Sequence, residues 1–166
     1  MTNRVKVTLR IEGQDADTND LASVWASIVK DWSFEFASGT GTGQFDVSFM
    51  DSRTLAASAN DDIDLRGGSV DPFGKTLAMA EMRAIAIKNT GAASIAVGGT
   101  VTNQITGLFG DASDRIVVPS GAQLVLGPYP DGLIAIAAGT ADLLRITNLS
   151  GSVAAAYDIV VLGTSA

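Results

Sequence analysis

Residues 139–162 read GTADLLRITNLSGSVAAAYDIVVL and contain two β-rich runs, Asp142–Thr147 and Tyr157–Leu162, joined by small and polar residues. In the first run Leu144 and Ile146 alternate with other side chains, which is the period of a strand with one buried face. The second run is apolar almost throughout after its aspartate, as in a strand covered on both faces. The stretch therefore predicts a β-hairpin at the centre of a packed all-β domain.

Short apolar runs recur through the second half of the chain, separated by Asn, Gly, Ser or Pro. Besides the two runs above, they are Ser94–Val97, Gln104–Phe109, Arg115–Val118, Gln123–Leu126 and Leu133–Ala137. A spacing near 8–12 residues is typical of a β-sandwich or barrel. Since no linker or repeat divides the chain, we expect a single domain over residues 1–166. The predicted fold class is all-β with one or two short helices, an antiparallel, jelly-roll-like β-sandwich.

The first half of the chain predicts a mixture of strands and short helices. Val5–Ile11 alternates apolar and polar residues and predicts an amphipathic strand. Leu21–Asp31 has apolar residues at helical spacing behind possible capping residues and predicts a short helix, although Val and Trp also suit a strand. The alternation in Trp32–Phe36 and Phe45–Phe49 predicts a hairpin across a glycine-rich turn. Thr76–Met82 fits either a helical crossing or a strand.

The composition excludes several kinds of chemistry. The chain has no cysteine and no histidine, which removes disulfides, thiolate and imidazole metal ligands, and Ser-His-Asp or Cys-His catalysis. The net charge is −7 with no run of Lys or Arg, so we expect no nucleic-acid partner. No apolar stretch approaches the about 20 residues that cross a bilayer, and the first residues lack the apolar region of a signal peptide. We expect a soluble protein with no membrane partner and no cleavable export signal.

One short motif resembles part of a phosphate-binding loop. Gly74-Lys75-Thr76 matches its end, where backbone amides and a lysine surround phosphates at the start of a helix. The motif needs an earlier glycine where this chain has Ser69, and Pro72 removes one backbone amide. We therefore predict a turn and no nucleotide site.

Three acidic groups offer oxygens for a cation: Asp15 with Asp17 and Asp20, Asp61 with Asp62 and Asp64, and Asp111 with Asp114. None has the spacing of a calcium-binding loop, so we interpret each group as a solvated turn and predict no metal site and no cofactor. The same carboxylates could form the acid–base pair of a glycosidase. That chemistry needs a cleft with sugar-stacking aromatic side chains, and the chain has only two Trp and two Tyr. We predict a protein without enzymatic activity.

Trp25, Trp32 and Tyr129 are the aromatic candidates for a partner contact. In a ligand-binding sandwich such side chains line a groove, and otherwise they fill the core or an oligomer interface. Tyr129 lies between Pro128 and Pro130 in a segment that we predict to be an exposed loop. It is therefore the first choice for a contact with a partner.

Three segments resemble small structural proteins of tailed bacteriophages. They are SGTGTGQFDVSFMDSRTLAASANDDIDLRGG (Ser38–Gly68), DPFGKTLAMAEMRAIAIKNT (Asp71–Thr90) and GTADLLRITNLSGSVAAAYDIVVLGTSA (Gly139–Ala166). The likeness lies in the general residue pattern and in the order of the segments, and it includes no catalytic signature. It implies a virion component, such as a β-sandwich protein of the capsid or tail, and carries no catalytic residue over.

The resemblance leads to one main hypothesis and two alternatives. The main hypothesis is a capsid decoration (cement) protein, made in the host cytoplasm and located on the virion. It would contact the major capsid protein or another virion protein and copies of itself, most naturally as a homotrimer. The first alternative is a tail or head-fibre adhesin that binds glycan through an exposed Trp or Tyr. The second is a carboxylate-dependent hydrolase, which would need two acids in one cleft.

Overall fold

The structure is a computed structural model that describes residues 4–18, 23–99, 102–132 and 134–166. The described residues form strands and no helix, so the all-β prediction is confirmed and the short helices are wrong. The strands are β1 (Val5–Thr18), β2 (Ser23–Ser38), β3 (Gln44–Phe45), β4 (Val47–Leu55), β5 (Asn60–Asp64), β6 (Arg66–Val70), β7 (Thr76–Ala78), β8 (Glu81–Asn89), β9 (Ile95–Gly98), β10 (Arg115–Val118), β11 (Gln123–Leu126), β12 (Ile134–Ala135), β13 (Leu143–Asn148) and β14 (Ala155–Thr164).

Eight of these strands form two antiparallel sheets that pack face to face. The first sheet has the order β4-β14-β8-β11, and β12 also pairs with β8. The second sheet has the order β5-β13-β9-β10. The chain passes between the sheets after β4, β5, β8, β10, β12 and β13, which is the connectivity of a jelly roll. The predicted antiparallel, jelly-roll-like β-sandwich is therefore confirmed.

The core lies between the inner faces of the two sheets. Aliphatic side chains of both sheets belong to one buried cluster: Ile85, Ile87, Ile159 and Val161 from the first sheet, and Ile63, Ile95, Val97, Leu144 and Ile146 from the second. Branched side chains suit strand backbone, and they interdigitate across the about 10 Å that separates packed sheets. A core built in this way needs few aromatic residues.

The hairpin predicted for residues 139–162 is wrong. Asp142–Thr147 largely coincides with β13, a central strand of the second sheet, and Tyr157–Leu162 lies in β14, a central strand of the first. The residues between them therefore cross from one sheet to the other. β14 is not covered on both faces either, because Asp158 and Val160 are exposed. Its apolar run reflects a buried inner face and an apolar outer face.

The helix predicted at Leu21–Asp31 is also wrong. Its described part, from Ser23, belongs to β2, and residues 21 and 22 lie outside the described residues. β2 pairs along its whole length with β1, and this long pairing outweighs the helical spacing of a few apolar residues. The hairpin predicted for Trp32–Phe36 and Phe45–Phe49 does not form, because β2 meets β3 in a parallel pairing of only two residues each.

Two other segments differ from their predictions. Thr76–Met82 divides into β7 and the start of β8, so the strand alternative holds and the helical one is wrong. Gln104–Phe109 is not a strand: Gln104 makes one isolated bridge to Leu143, and turns follow. Short apolar runs also occur in loops that pack on a core, and Leu108 and Phe109 pack in this way.

Two buried asparagines hold the crossings between the sheets. Asn89 ends β8 and Asn148 ends β13, and each accepts a hydrogen bond from the amide two residues later, at Gly91 (3.1 Å) and Ser150 (2.9 Å). The side-chain amide of Asn148 also donates to the carbonyl oxygens of Ala56 (2.9 Å) and Val153 (2.8 Å), while that of Asn89 donates to those of Ala93 (2.8 Å) and Val118 (2.9 Å). These hydrogen bonds provide partners for backbone amide and carbonyl groups at the points where the pairing between strands ends.

The first prediction concerns this crossing. We expect Asn148→Ala to lower the free energy of unfolding by about 2 kcal/mol or more, because it leaves buried carbonyl groups without a donor. Urea denaturation measures the change. The matched control is Asn60→Ala on the exposed face of the same sheet, where only one exposed hydrogen bond to Thr147 (2.8 Å) is lost. Equal losses in the two variants would contradict the structural role of Asn148.

Candidate interaction surface

β1 and β2 form a long antiparallel hairpin, named here the arm. The strands pair without a break from Val5 opposite Phe36 to Thr18 opposite Ser23. Fourteen residues in β1 at a rise of about 3.3 Å each make the arm about 45 Å long. The sequence predicted only the first half of β1, because its second half is polar and has no alternation.

The register of the arm separates an apolar face from a polar face, since directly opposed residues project to the same side. The rungs of the apolar face whose side chains are described are Val5/Phe36, Val7/Phe34, Leu9/Trp32, Ile11/Lys30, Gly13/Ile28 and Asp15/Ala26. Within these rungs, charged residues enter the face only at Lys30 and, nearer the tip, at Asp15.

The polar face carries most of the charged residues of the arm and pairs several of them. Arg10 lies 2.9 Å from Glu12 and 3.8 Å from Asp31, and Arg4 lies 3.2 Å from Glu35. Because these side chains are largely exposed, the pairs contribute little to stability. The polar face is typical of a solvated surface.

The base of the arm packs on the outer face of the first sheet. Phe36 is fully buried in a small cluster with Phe45, Ala84 and Leu162, and its ring meets that of Phe34 edge to face at 4.8 Å. Val5, Val7 and Phe34 cover the cluster. The apolar face of the arm thus already contacts this sheet at one end.

A buried arginine fixes the loops beside the base. The guanidinium of Arg83 donates to the carbonyl oxygen of Pro130, which also accepts from the amide of Gly43 (2.8 Å). Glu81 lies 3.0 Å from the same guanidinium and neutralises it. The turn that follows the arm is therefore held to the Pro130 loop.

Beyond the base, the arm leaves the sheet. Every side chain of residues 9–16 and 25–33 is exposed. Leu9, Ile11, Ile28 and Trp32 on the apolar face have 49–52% of their surface exposed. A two-stranded hairpin is at best marginally stable in water unless another element covers a face.

The outer face of the first sheet carries an apolar row. Met50, Val160, Ala86 and Val125 stand directly opposite one another across its four strands. Met50, Val125 and Val160 are 56%, 42% and 37% exposed. The outer face of the second sheet is different, because it pairs Arg145 with Asp62 (2.6 Å). Only the first sheet therefore presents an apolar row beside the arm.

Two adjoining hollows separate the arm from this row. One, of about 500 Å³, lies between Leu9, Trp32 and Phe34 of the arm and Val125 and Pro128 of the body. The other, of about 220 Å³, lies between the base of the arm and the central strands β8 and β14. The apolar face and the apolar row therefore form the two walls of one open groove.

The acidic groups predicted to be solvated turns behave differently from one another. Asp61, Asp62 and Asp64 lie in strand β5, so the turn prediction is wrong for them. Alternation sends Asp61 and Asp62 to opposite faces, where they pair with Arg53 and Arg145. In the described ranges, no three acidic side chains gather to hold a metal ion. Asp20 lies outside the described residues.

Asp111 and Asp114 do form a solvated turn, as predicted. The amide of Asp111 donates to the carboxylate of Asp114 (2.9 Å), and Asp111 accepts from the amide (2.8 Å) and hydroxyl (2.7 Å) of Ser113. These two bonds lower the pKa of Asp111. Gly74-Lys75-Thr76 belongs to a similar turn, in which Asp71 accepts from the amides of Phe73 and Lys75, both at 2.8 Å.

Asp61 belongs to a polar network at the edge of the core. Both of its oxygens lie 2.8 Å from the guanidinium of Arg53, and one also accepts from the hydroxyl of buried Tyr157. Burial and then the hydrogen bond to Asp61 raise the pKa of Tyr157. Burial acts to lower the pKa of Arg53, but its bonds to Asp61 and Asp51 outweigh this and raise it. The network is internally satisfied.

The three predicted contact residues lie in different surroundings. Trp32 is half exposed on the apolar face of the arm, and Trp25 is 65% exposed on the polar face. Tyr129 is half-buried and packs against the main core. Its backbone amide donates to the carbonyl of Arg83 (2.7 Å) and holds it there. The structure therefore does not bring the three together.

Sequence reasoning missed most of the surface. The alternation in Val5–Ile11 predicts one buried face, and Leu9 and Ile11 lie on that face. Both are exposed, because alternation shows that a strand has an apolar face but not which element covers it. Val160 was expected to be covered by a core. Phe73, at the tip of the turn between β6 and β7, is 89% exposed. The sequence signal for this exposure is the position of Phe73 in a predicted turn.

Comparison of the chain with family models, with curated proteins and with solved structures finds no match. Within the described ranges, no helix is long and apolar enough to span a membrane.

The second prediction concerns Tyr157. Because its pKa is raised in the folded state, the fold keeps this proton when the unfolded chain loses it near pH 10. The stabilisation that comes from this retained proton is therefore complete below about pH 10. Above this pH, the unfolded chain loses the proton while the folded protein keeps it, so this group alone lowers the free energy of unfolding by about 1.4 kcal/mol per pH unit. We expect the alkaline slope to be shallower in Tyr157→Phe, measured by urea denaturation between pH 9 and 11. Identical slopes would contradict the assignment.

Proposed function

We propose that the chain is a non-enzymatic virion structural protein, and specifically a capsid decoration protein. The observation that carries the proposal is the arm, whose apolar face is half exposed along Leu9, Ile11, Ile28 and Trp32. Soluble monomers rarely expose a contiguous apolar surface of this kind, and larger ones mark interaction sites. The surface is built for contact with protein.

The fold is compatible with this role. Jelly rolls occur in viral capsid proteins, as well as in lectin domains and cupins. The topology alone therefore does not choose among these classes. The resemblance of Ser38–Gly68, Asp71–Thr90 and Gly139–Ala166 to phage structural proteins favours the virion.

The proposed mechanism requires no chemical step and no cofactor. Contacts that exist only in the assembled shell stabilise it by mass action. The partners are copies of this chain and the major capsid protein or another virion protein. The groove beside the arm has no acidic side chain among its lining residues, so it offers no carboxylate pair for a hydrolase.

A glycan-binding adhesin of the tail or head fibre is the second candidate function. One observation favours it: the exposed Trp32 lines the larger hollow together with Gln123 of the body. A Trp ring with an amide group beside it can stack on a sugar ring and hydrogen-bond to its hydroxyl groups. The groove would then hold a glycan and not a protein.

The third prediction tests the virion role on particles made with and without the chain. We expect the chain on purified particles, and we expect particles without it to release their DNA at lower temperature. Ile11→Arg should prevent attachment, because it places a charge on the apolar face, whereas Gln14→Arg on the polar face should attach normally. Absence of the chain from purified particles would overturn the proposal.

The fourth prediction separates the glycan alternative. Both tryptophans of the chain lie on β2, so intrinsic fluorescence reports on the arm alone. If the protein is a decoration protein, panels of host-surface glycans should leave the emission unchanged. A saturable change that is lost in Trp32→Phe and kept in Trp25→Phe would establish the adhesin instead.

A further inference from the structure

We propose that the apolar face of the arm binds the outer face of the first sheet of a second copy of this chain. Each copy would give its arm to a neighbour and receive an arm on its own apolar row. The inference rests on the proposed function only in treating this surface as a protein contact, and its test in solution is separate.

The base of the arm shows which surface the apolar face fits. There, Phe34 and Phe36 already pack over Ala84 and Leu162, on the outer face of the first sheet. The next apolar row of this face, centred on Val160, has the same aliphatic character and is open. The intermolecular contact repeats along the sheet a contact that the chain already makes with itself.

Neither the apolar face of the arm nor the apolar row of the first sheet is fully covered within one chain. The hollow of about 500 Å³ separates Leu9 and Trp32 from Val125, and every side chain of residues 9–16 on the arm is exposed. Gly13 leaves a gap in the apolar face opposite Ile28, and a side chain there would meet no atom within 4 Å. The arm therefore has both exposed apolar side chains and room for those of a partner.

The size of the surface suits a stable interface. From the strand rise and spacing, the free part of the arm is about 30 Å by 10 Å, and the apolar row crosses four strands, or about 20 Å. Together they offer on the order of 500 Å² per copy, or about 1,000 Å² in a two-fold dimer, which reaches the size expected of a specific interface that dissociates on dilution.

The charges at the edges of the two surfaces are complementary. The arm face carries Lys30 and, two rungs further, Asp15. The sheet carries Asp158 directly opposite Lys88 in the row next to Val160, both exposed. One cation and one anion on each surface allow an opposite-charge pair when the apolar parts meet.

The exchange of arms can form a closed oligomer in which every arm is covered by another copy. In a two-fold dimer each arm lies on the other copy, and in a three-fold ring each arm lies on the next copy. Both arrangements cover the exposed arm, and the trimer that the resemblance to phage structural proteins implies is one of them. The number of copies depends on the angle between the arm and the sheet.

The test begins with the mass of the purified protein by light scattering. We expect a dimer or trimer that dissociates on dilution. Ile28→Arg on the arm and Val160→Arg on the sheet should each weaken association at least about 30-fold, the loss that defines an interface hot spot. Ser27→Arg, on the polar face beside Ile28, is the matched control and should not. Because all three positions are exposed, each variant should keep the unfolding transition of the dissociated wild-type protein, measured at low concentration.

A mixing experiment distinguishes exchange from contact between two arms. The Val160→Arg variant keeps an intact arm, and the Ile28→Arg variant keeps an intact sheet. We therefore expect an equimolar mixture to associate through the one intact arm and the one intact sheet, more weakly than the wild-type protein, although neither variant associates alone. A mixture that remains monomeric overturns the exchange, as does a monomeric wild-type protein.

Fluorescence identifies the face that becomes buried. In Trp25→Phe the single remaining Trp32 reports on the apolar face, and in Trp32→Phe the remaining Trp25 reports on the polar face. Association should shift the emission of Trp32 to shorter wavelength and leave that of Trp25 unchanged, and the reverse overturns the proposal. A protein that stays monomeric but attaches to particles would disprove the exchange and leave the virion role standing.

Discussion

The structure depends on the packing of the two central strands, β13 and β14, against each other across the core. Each is flanked on both sides by strands of its own sheet, and the apolar inner face of each sheet is buried only against the other. Burial of Ile, Val and Leu at this contact supplies the main driving force for folding. The jelly-roll connections follow from it, because successive strands must reach opposite layers.

The first sheet differs from the second in having two apolar faces. Its outer face is buried at one end by the base of the arm and is open along Met50, Val160 and Val125. The outer face of the second sheet instead pairs Arg145 with Asp62 and Thr147 with Asn60. The base of the arm therefore packs on the sheet whose outer face carries the open apolar row.

Buried polar groups lie where the sheets end and not within the aliphatic interior. Asn89 and Asn148 satisfy backbone groups at the crossings, and Arg53, Asp61 and Tyr157 satisfy one another at the edge of the core. A buried polar group without partners is costly, so these positions tolerate few alternative arrangements. Asn89 and Asn148 are the last residues of β8 and β13, so their side chains help to fix where these two strands end.

The sequence by itself determined the fold class, because alternation of apolar residues and the spacing of short runs are local properties, as in Val5–Ile11 and Arg115–Val118. It also determined the turns at Asp111 and Gly74, where short-range hydrogen bonds decide the backbone. Only the tertiary structure decided that β13 and β14 face each other, since an apolar run does not reveal its partner. It alone decided that Leu21–Asp31 extends as a strand and that Tyr129 packs inward. It also separated the buried Phe36 from the exposed Leu9 on one face of the arm, because burial depends on which element covers a face and not on the residues of the face.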